Sequence, residues 1–187
     1  MKEFYGAVRA ARNTPPVVLL APTREEAADL AASGVADAIA VKPSKLQDAK
    51  GLIESCMRLK VPNRVLVVDD SSTMRTIVGK ILKSCRFPLE VSEATDGIDA
   101  LKQIGAGKFD FVFLDYNMPG LDGIEMLTEI KRQYPRVEII MMTSAQDDAL
   151  AARARGAGAA SFLNKPFYPT DIDTLLYAFY GLRPAAP

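Results

Sequence analysis

The sequence predicts an α/β protein, a doubly wound five-stranded parallel sheet preceded by a smaller βαβα segment. Three observations carry this. From Pro62 onward, short apolar runs rich in Val, Ile and Phe alternate with stretches whose apolar residues recur at i, i+3 and i+4. Most of those apolar runs end on a polar side chain, as strands do when they open onto the carboxyl edge of a parallel sheet. The first sixty residues also repeat the plan of the last sixty.

The N-terminal piece comes first. PPVVLLAPTREEAADLAASGVADAIAVKPSKLQDAKGLIESCMRL reads as strand, Ala-rich helix, Gly turn, a strand ending Lys42-Pro43, and helix. VEIIMMTSAQDDALAARARGAGAASFLNKPFYPTDIDTLLYAFYGL has the same order. Thr23 with Glu26 forms a capping box, and Phe4, Val8 and Ala11 have the spacing of one more helix. Two strands alone leave a bare sheet edge, so residues 1–60 are expected to dock on the rest of the chain, pair with another chain, or swap. Residues 61–187 form the complete domain.

In that domain, RVLVVDD is a buried strand ending on Asp69 and Asp70, and Ser71 or Ser72 caps a helix with Met74, Ile77, Val78, Ile81, Leu82 and Cys85 on its apolar face. A short strand around Leu89 to Ser92 leads through Gly97 to a helix carrying Ile98, Leu101 and Ile104. The run Phe111 to Leu114 is the third strand and ends on Asp115. It is followed by the turn Asn117-Met118-Pro119-Gly120, read as holding a crevice open, and by a helix with Ile124, Leu127 and Ile130 that stops before Pro135. VEIIMMTS is the fourth strand, and an Ala-rich helix closed by Gly156 to Gly158 follows it. ASFLNKP is the fifth strand, and the last helix presents Ile172, Leu175, Leu176 and Phe179.

Composition narrows the chemistry. In 187 residues, 49% hydrophobic, there is material for a real core, yet no apolar run nears the roughly 20 residues that cross a bilayer. The N-terminus lacks a signal-peptide centre, so a cytoplasmic location is expected. The 23 basic and 23 acidic residues cancel, which gives no overall field toward nucleic acid or an anionic membrane. Cys56 and Cys85 lie at apolar helix positions and read as small buried thiols in place of a disulfide or metal ligands. There is no histidine, which removes the commonest general base, the commonest zinc ligand and any phosphohistidine.

The strand ends bring together Asp69, Asp70, Asp115, Thr143 and Lys165. Alone, Asp115 reads as a helix cap; with this company it reads as part of a site. Three converging carboxylates repel unless a cation lies among them, and an all-oxygen set suits Mg²⁺ better than zinc. Asp70 and Asp115 are expected to bind the ion directly, Asp69 directly or through water, with the Asn117 backbone carbonyl adding a ligand. Lys165 and the Thr143 hydroxyl would meet phosphate oxygens. A carboxylate can take a phosphoryl group without a base to activate it.

Residues 64–187 resemble the receiver domain of two-component response regulators, of the single-domain chemotaxis type. The resemblance rests on Asp69-Asp70 after RVLVV, Asp115 in FLDYNMPG, Thr143 with Ser144 in MMTSA, and Lys165-Pro166 in NKPF. It implies a flavodoxin-like sheet of order 2-1-3-4-5, and makes residues 1–60 a truncated receiver-like segment without a phosphoacceptor. It implies that Asp115 accepts a phosphoryl group from a histidine kinase or histidine phosphotransfer protein. Mg²⁺ would be held by Asp69, Asp70, Asp115 and Asn117, and phosphoryl oxygens by Thr143, Ser144 and Lys165. Phe162 matches the family's rotating aromatic, which remodels the face of helix 4, strand 5 and helix 5.

With five residues after the last apolar helix face, no DNA-binding output is expected, so signalling is expected through phosphorylation-dependent protein binding. A homodimer through the N-terminal segment or the switch face is a further expectation, and no enzyme activity beyond self-phosphorylation and self-dephosphorylation is expected. The competing enzymatic reading is a haloacid-dehalogenase-like phosphatase. It wants a second Asp two residues after the nucleophile, where this chain has Asn117.

Overall fold

A computed structural model describes residues 17–32, 36–118, 121–145 and 148–185. The expected helix of Phe4, Val8 and Ala11 lies outside the described residues, as do Pro119 and Gly120 of the expected crevice turn. In chain order the first elements are β1 (Val18–Ala21), α1 (Arg24–Ala31), β2 (Ala38–Val41) and α2 (Leu46–Met57). They are followed by β3 (Asn63–Val68), α3 (Ser72–Lys83), β4 (Leu89–Ala94), α4 (Gly97–Ala106), β5 (Phe111–Asp115), β6 (Asn117–Met118) and β7 (Leu121–Asp122). The remainder are α5 (Gly123–Gln133), β8 (Glu138–Thr143), α6 (Asp148–Gly156), β9 (Ser161–Asn164), α7 (Pro169–Phe179) and β10 (Arg183–Pro184).

Contacts divide the chain into two units. One holds the described residues up to Pro62 with Arg86–Pro88 and the chain from Asp173 onward; the other holds Asn63–Cys85 and Leu89–Ile172. Residues 173–185, read from sequence with the C-terminal domain, thus share their contacts with the N-terminal segment.

The second unit is built on a parallel sheet of order β4-β3-β5-β8-β9. This is the doubly wound arrangement that strict strand-helix alternation predicts. Both sheet faces are covered, so every residue of the central strand β5 is buried: four apolar side chains and, at its end, Asp115. Val68, Leu114 and Met141 pack with Leu127, Ile130 and Ile104 in the main core. Register brings the strand ends level, with Val68 beside Leu114, Asp115 beside Met142, and Thr143 beside Asn164.

Helix caps follow the sequence closely. The Ser71 hydroxyl accepts from the Met74 amide at 3.3 Å, and Asp96 and Asp122 cap α4 and α5 in the same way. Three predicted apolar positions face outward instead. Ile98 is 83% exposed because α4 buries the stripe Gly97, Ala100 and Ile104, from which Ile98 is rotated away. Ile77 is exposed for the same reason beside buried Val78 and Leu82, and in α7 Phe179 is exposed while Ile172, Leu176 and Tyr177 are buried.

In the first unit β1 and β2 pair in parallel, and β10 adds antiparallel to the free side of β2. The expectation of a two-stranded sheet is therefore corrected. Arg183 and Pro184 pair with Ile39 and Ala38, an edge position where the missing proline N–H is tolerated. The core is small and alanine-rich: Ala21, Ala27, Ala36, Ile39 and Ala185. The Thr23 hydroxyl accepts from the Glu26 amide at 3.2 Å and donates to the Glu26 carboxylate, a variant of the capping box. Tyr177 donates to the Asp37 carbonyl at 3.0 Å and packs edge-on against Phe87. By contrast, α2 buries no residue.

The internal repeat can now be aligned through hydrogen bonds. The amide after β9, on Lys165, donates to the carbonyl of Thr143 at 2.6 Å; the amide after β2, on Lys42, donates to the carbonyl of Ala21 at 2.7 Å. Ala21 therefore occupies the position that corresponds to the strand end at Thr143.

Candidate functional site

Each residue of the candidate site stands at or just past the end of a strand of the five-stranded sheet, or on the loop that leaves it. The loop after β3 carries Asp69, which is buried, and Asp70, which is exposed. Asp115 closes β5 and is 5% exposed, and Thr143 closes β8 and is fully buried. Lys165 follows β9, and its peptide bond to Pro166 is cis.

Asp69, Asp70 and Asp115 each offer a carboxylate oxygen, and the three oxygens lie within 4.8 Å of one another. Lys165 joins two of these acids. Its Nζ lies 2.8 Å from Asp69 Oδ2 and 3.0 Å from Asp115 Oδ1, with its side chain only 10% exposed. A single ammonium thus bridges two buried acids and offsets part of the repulsion between them. The other oxygen of Asp69 accepts from the Ser71 amide at 2.9 Å.

Burial pushes the Asp115 carboxyl above the usual carboxylate range. The hydrogen bond and charge of Lys165 and the amide of Asn117 oppose that rise, while the Asp69 charge adds to it. Asp115 is therefore desolvated yet aimed at a cation. The donor set is all oxygen and its carboxylate oxygens lie within 4.8 Å of one another, so these residues fit a hard divalent cation.

The sequence-predicted residues are not all drawn in equally. Asp69, Asp70, Asp115 and Lys165 meet. Asn117 is exposed and bonds to Asp115 through its amide, the carbonyl having been the expected ligand. The Thr143 hydroxyl accepts from the Ala145 amide at 3.1 Å, which leaves its own proton to donate. Ser144 is exposed in the loop that follows. Phe162 is half-buried on β9 beside Met141 and packs against the main core.

Two residues escaped the sequence reading. Gly123 begins α5 against the end of β5: a Cβ there would lie 2.8 Å from Tyr116 Cα and 3.1 Å from the Asp115 carbonyl oxygen, backbone atoms that cannot swing aside. Only glycine lets the helix start this close to the acid. Arg75, on the first turns of α3, donates from Nη1 to the carbonyls of Asp69 and Asp70 and from Nε to Glu93. Its place five residues after a pair of acids is the only local signal.

Comparison with known proteins follows this geometry. The sequence model of the response regulator receiver domain matches residues 65–177. Chemotaxis protein CheY-3 of Vibrio cholerae is 38% identical over 106 residues, which are 56% of this chain and 81% of that protein. Response regulator UvrY of Escherichia coli is 35% identical over 117 residues, 63% of this chain and 54% of that protein. Among solved structures, Vibrio cholerae chemotaxis protein CheY4 superposes with a TM-score of 0.56 at 30% identity, covering 63% of this chain and 98% of that one. The CheX-CheY-BeF3-Mg²⁺ complex from Borrelia burgdorferi gives 0.59 at 27% identity, covering 64% and 90%.

Proposed function

Because the chain belongs to the response regulator receiver domain family, by a match spanning residues 65–177, we propose that it is a phosphoacceptor of a phosphorelay, modified on Asp115. The observation that carries the reading is the cluster itself: a buried carboxylate at the end of the central strand, two more acids within 4.8 Å, and a lysine, its side chain 10% exposed, bonded to it. A histidine kinase or histidine phosphotransfer protein is the donor, and none of these 187 residues is a histidine that could serve in that role.

In the reaction an Asp115 carboxylate oxygen attacks phosphorus, the bond from phosphorus to the donor imidazole nitrogen breaks, and that nitrogen keeps the electron pair. The product is an aspartyl phosphate, which water later hydrolyses. Mg²⁺, held by Asp69, Asp70, Asp115 and Asn117, would offset the charge that gathers on the phosphoryl oxygens. Lys165 meets one phosphoryl oxygen with its ammonium, and Thr143 donates its hydroxyl to another, with Ser144 at the rim. Phe162 turns with the movement of Thr143, which carries the change to the face of α6, β9 and α7. Output is a change in affinity for a protein partner, and catalysis of other substrates is not expected.

Incubation with acetyl phosphate and Mg²⁺ should add one phosphoryl group to the wild type and none to Asp115→Asn, as read by intact mass. Equal modification of both proteins sinks the assignment.

One observation favours a second role for the first unit. Residues Leu20, Ile53 and Met57 are 49%, 62% and 55% exposed around an apolar groove that Val18, Cys56 and Val61 also line. An apolar surface of this kind marks an interaction site. We assign it to self-association of the chain.

A further inference from the structure

We propose that Arg75 is a positioning residue for the acidic cluster, holding the backbone of Asp69 and Asp70 so that their carboxylates stay converged on the cation; this rests on the cation reading above. Its Nη1 lies 2.8 Å from the Asp69 carbonyl oxygen and 3.3 Å from that of Asp70. Its Nε lies 3.1 Å from Glu93 Oε2, and the Arg75 side chain is only 12% exposed.

The loop needs such a hold. Beyond β3 the Asp69 amide reaches the Ala94 carbonyl only at 3.4 Å, so the ladder is already weakening where the acids begin. Two adjacent carboxylates next to a third repel, and repulsion acts on a loop by splaying it. Nη1 meets both carbonyls while Nε holds Glu93, and a lysine ammonium, with one nitrogen in place of a rigid planar group, cannot keep the carbonyl pair and the carboxylate in that fixed relation. Its far side is tied to β4: Glu93 stands opposite Val67 in register, and Gln103 donates to the Glu93 carbonyl at 2.8 Å. The Glu93 charge also cancels that of Arg75, so the clamp adds little net positive charge beside the cation. Residues that support metal ligands from behind commonly govern metal affinity in this way.

The test is direct Mg²⁺ titration by calorimetry on the full chain, together with the rate of modification by acetyl phosphate as Mg²⁺ is raised. Arg75→Ala should weaken Mg²⁺ binding by about tenfold or more, and high Mg²⁺ should restore its modification rate toward wild type. Arg75→Lys, which keeps the charge but not the rigid planar group, should also bind more weakly than wild type, and it decides the matter where Arg75→Ala does not fold. Wild-type Mg²⁺ affinity in the folded variants, even with a lower melting temperature, reduces Arg75 to a structural staple and overturns the proposal. A modification defect that saturating Mg²⁺ does not restore overturns it too. A wild type that binds no Mg²⁺ overturns the cation reading itself.

Discussion

At Asp115, burial and attraction pull in opposite directions, and burial is the larger effect. Its carboxyl therefore holds a proton more readily in the native protein than in the unfolded chain. The ionised form opposes folding fully above the raised native value, and that opposition is relieved as pH falls into the ordinary carboxylate range. In cation-free buffer Asp115→Asn should raise the melting temperature at neutral pH, and the gain should shrink on acidification. A loss of stability at neutral pH, or a gain independent of pH, refutes this. The residues of the cluster were legible because each lies at a strand end, and parallel strands in register must bring their ends to one edge. Arg75 and Gly123 were not, because each matters through contact with backbone: carbonyls in one case, a strand end 2.8 Å from a missing Cβ in the other.

At the scale of elements, periodicity located the five-stranded sheet and its helices, since both sheet faces are buried and the pattern had only one solution. It was weaker on which residue of a helix turns inward. Ile98 looked like core by its chemistry, but the small residues Gly97 and Ala100 fix the face that α4 presents. Least legible was β10, a two-residue strand of Arg and Pro whose side chains carry no strand signal. Its role predicts that removing residues 183–187 will expose the outer side of β2. The amide of Ile39, which faces Arg183, should then exchange faster with solvent, with a loss of about 1–2 kcal/mol of local stability from the missing ladder bonds and the burial of Ala185. Unchanged protection in β2 would remove β10 from the fold of that unit.

At the scale of the whole molecule, the two pieces that share a sequence plan differ at their strand ends. One carries every candidate site residue. The other keeps Lys42 but has Ala21 where Thr143 stands, and presents apolar surface on α2 instead. If that surface mediates self-association, the mass by light scattering should rise with concentration, and joint Ile53→Asp and Met57→Asp substitution should return it to that of one chain. A mass insensitive to both refutes the idea. The pairing of β10 with β2 also sets a timetable. During synthesis β1 and β2 leave the ribosome early, but the residues that complete their sheet are made only after the whole second unit, on the order of ten seconds later at ordinary elongation rates. For that interval the nascent chain carries an open strand edge beside alanines with no partner to pack on. Slowing translation late in the message should thus prolong the stage at which a chaperone, or a neighbouring nascent chain, can seize the N-terminal strands.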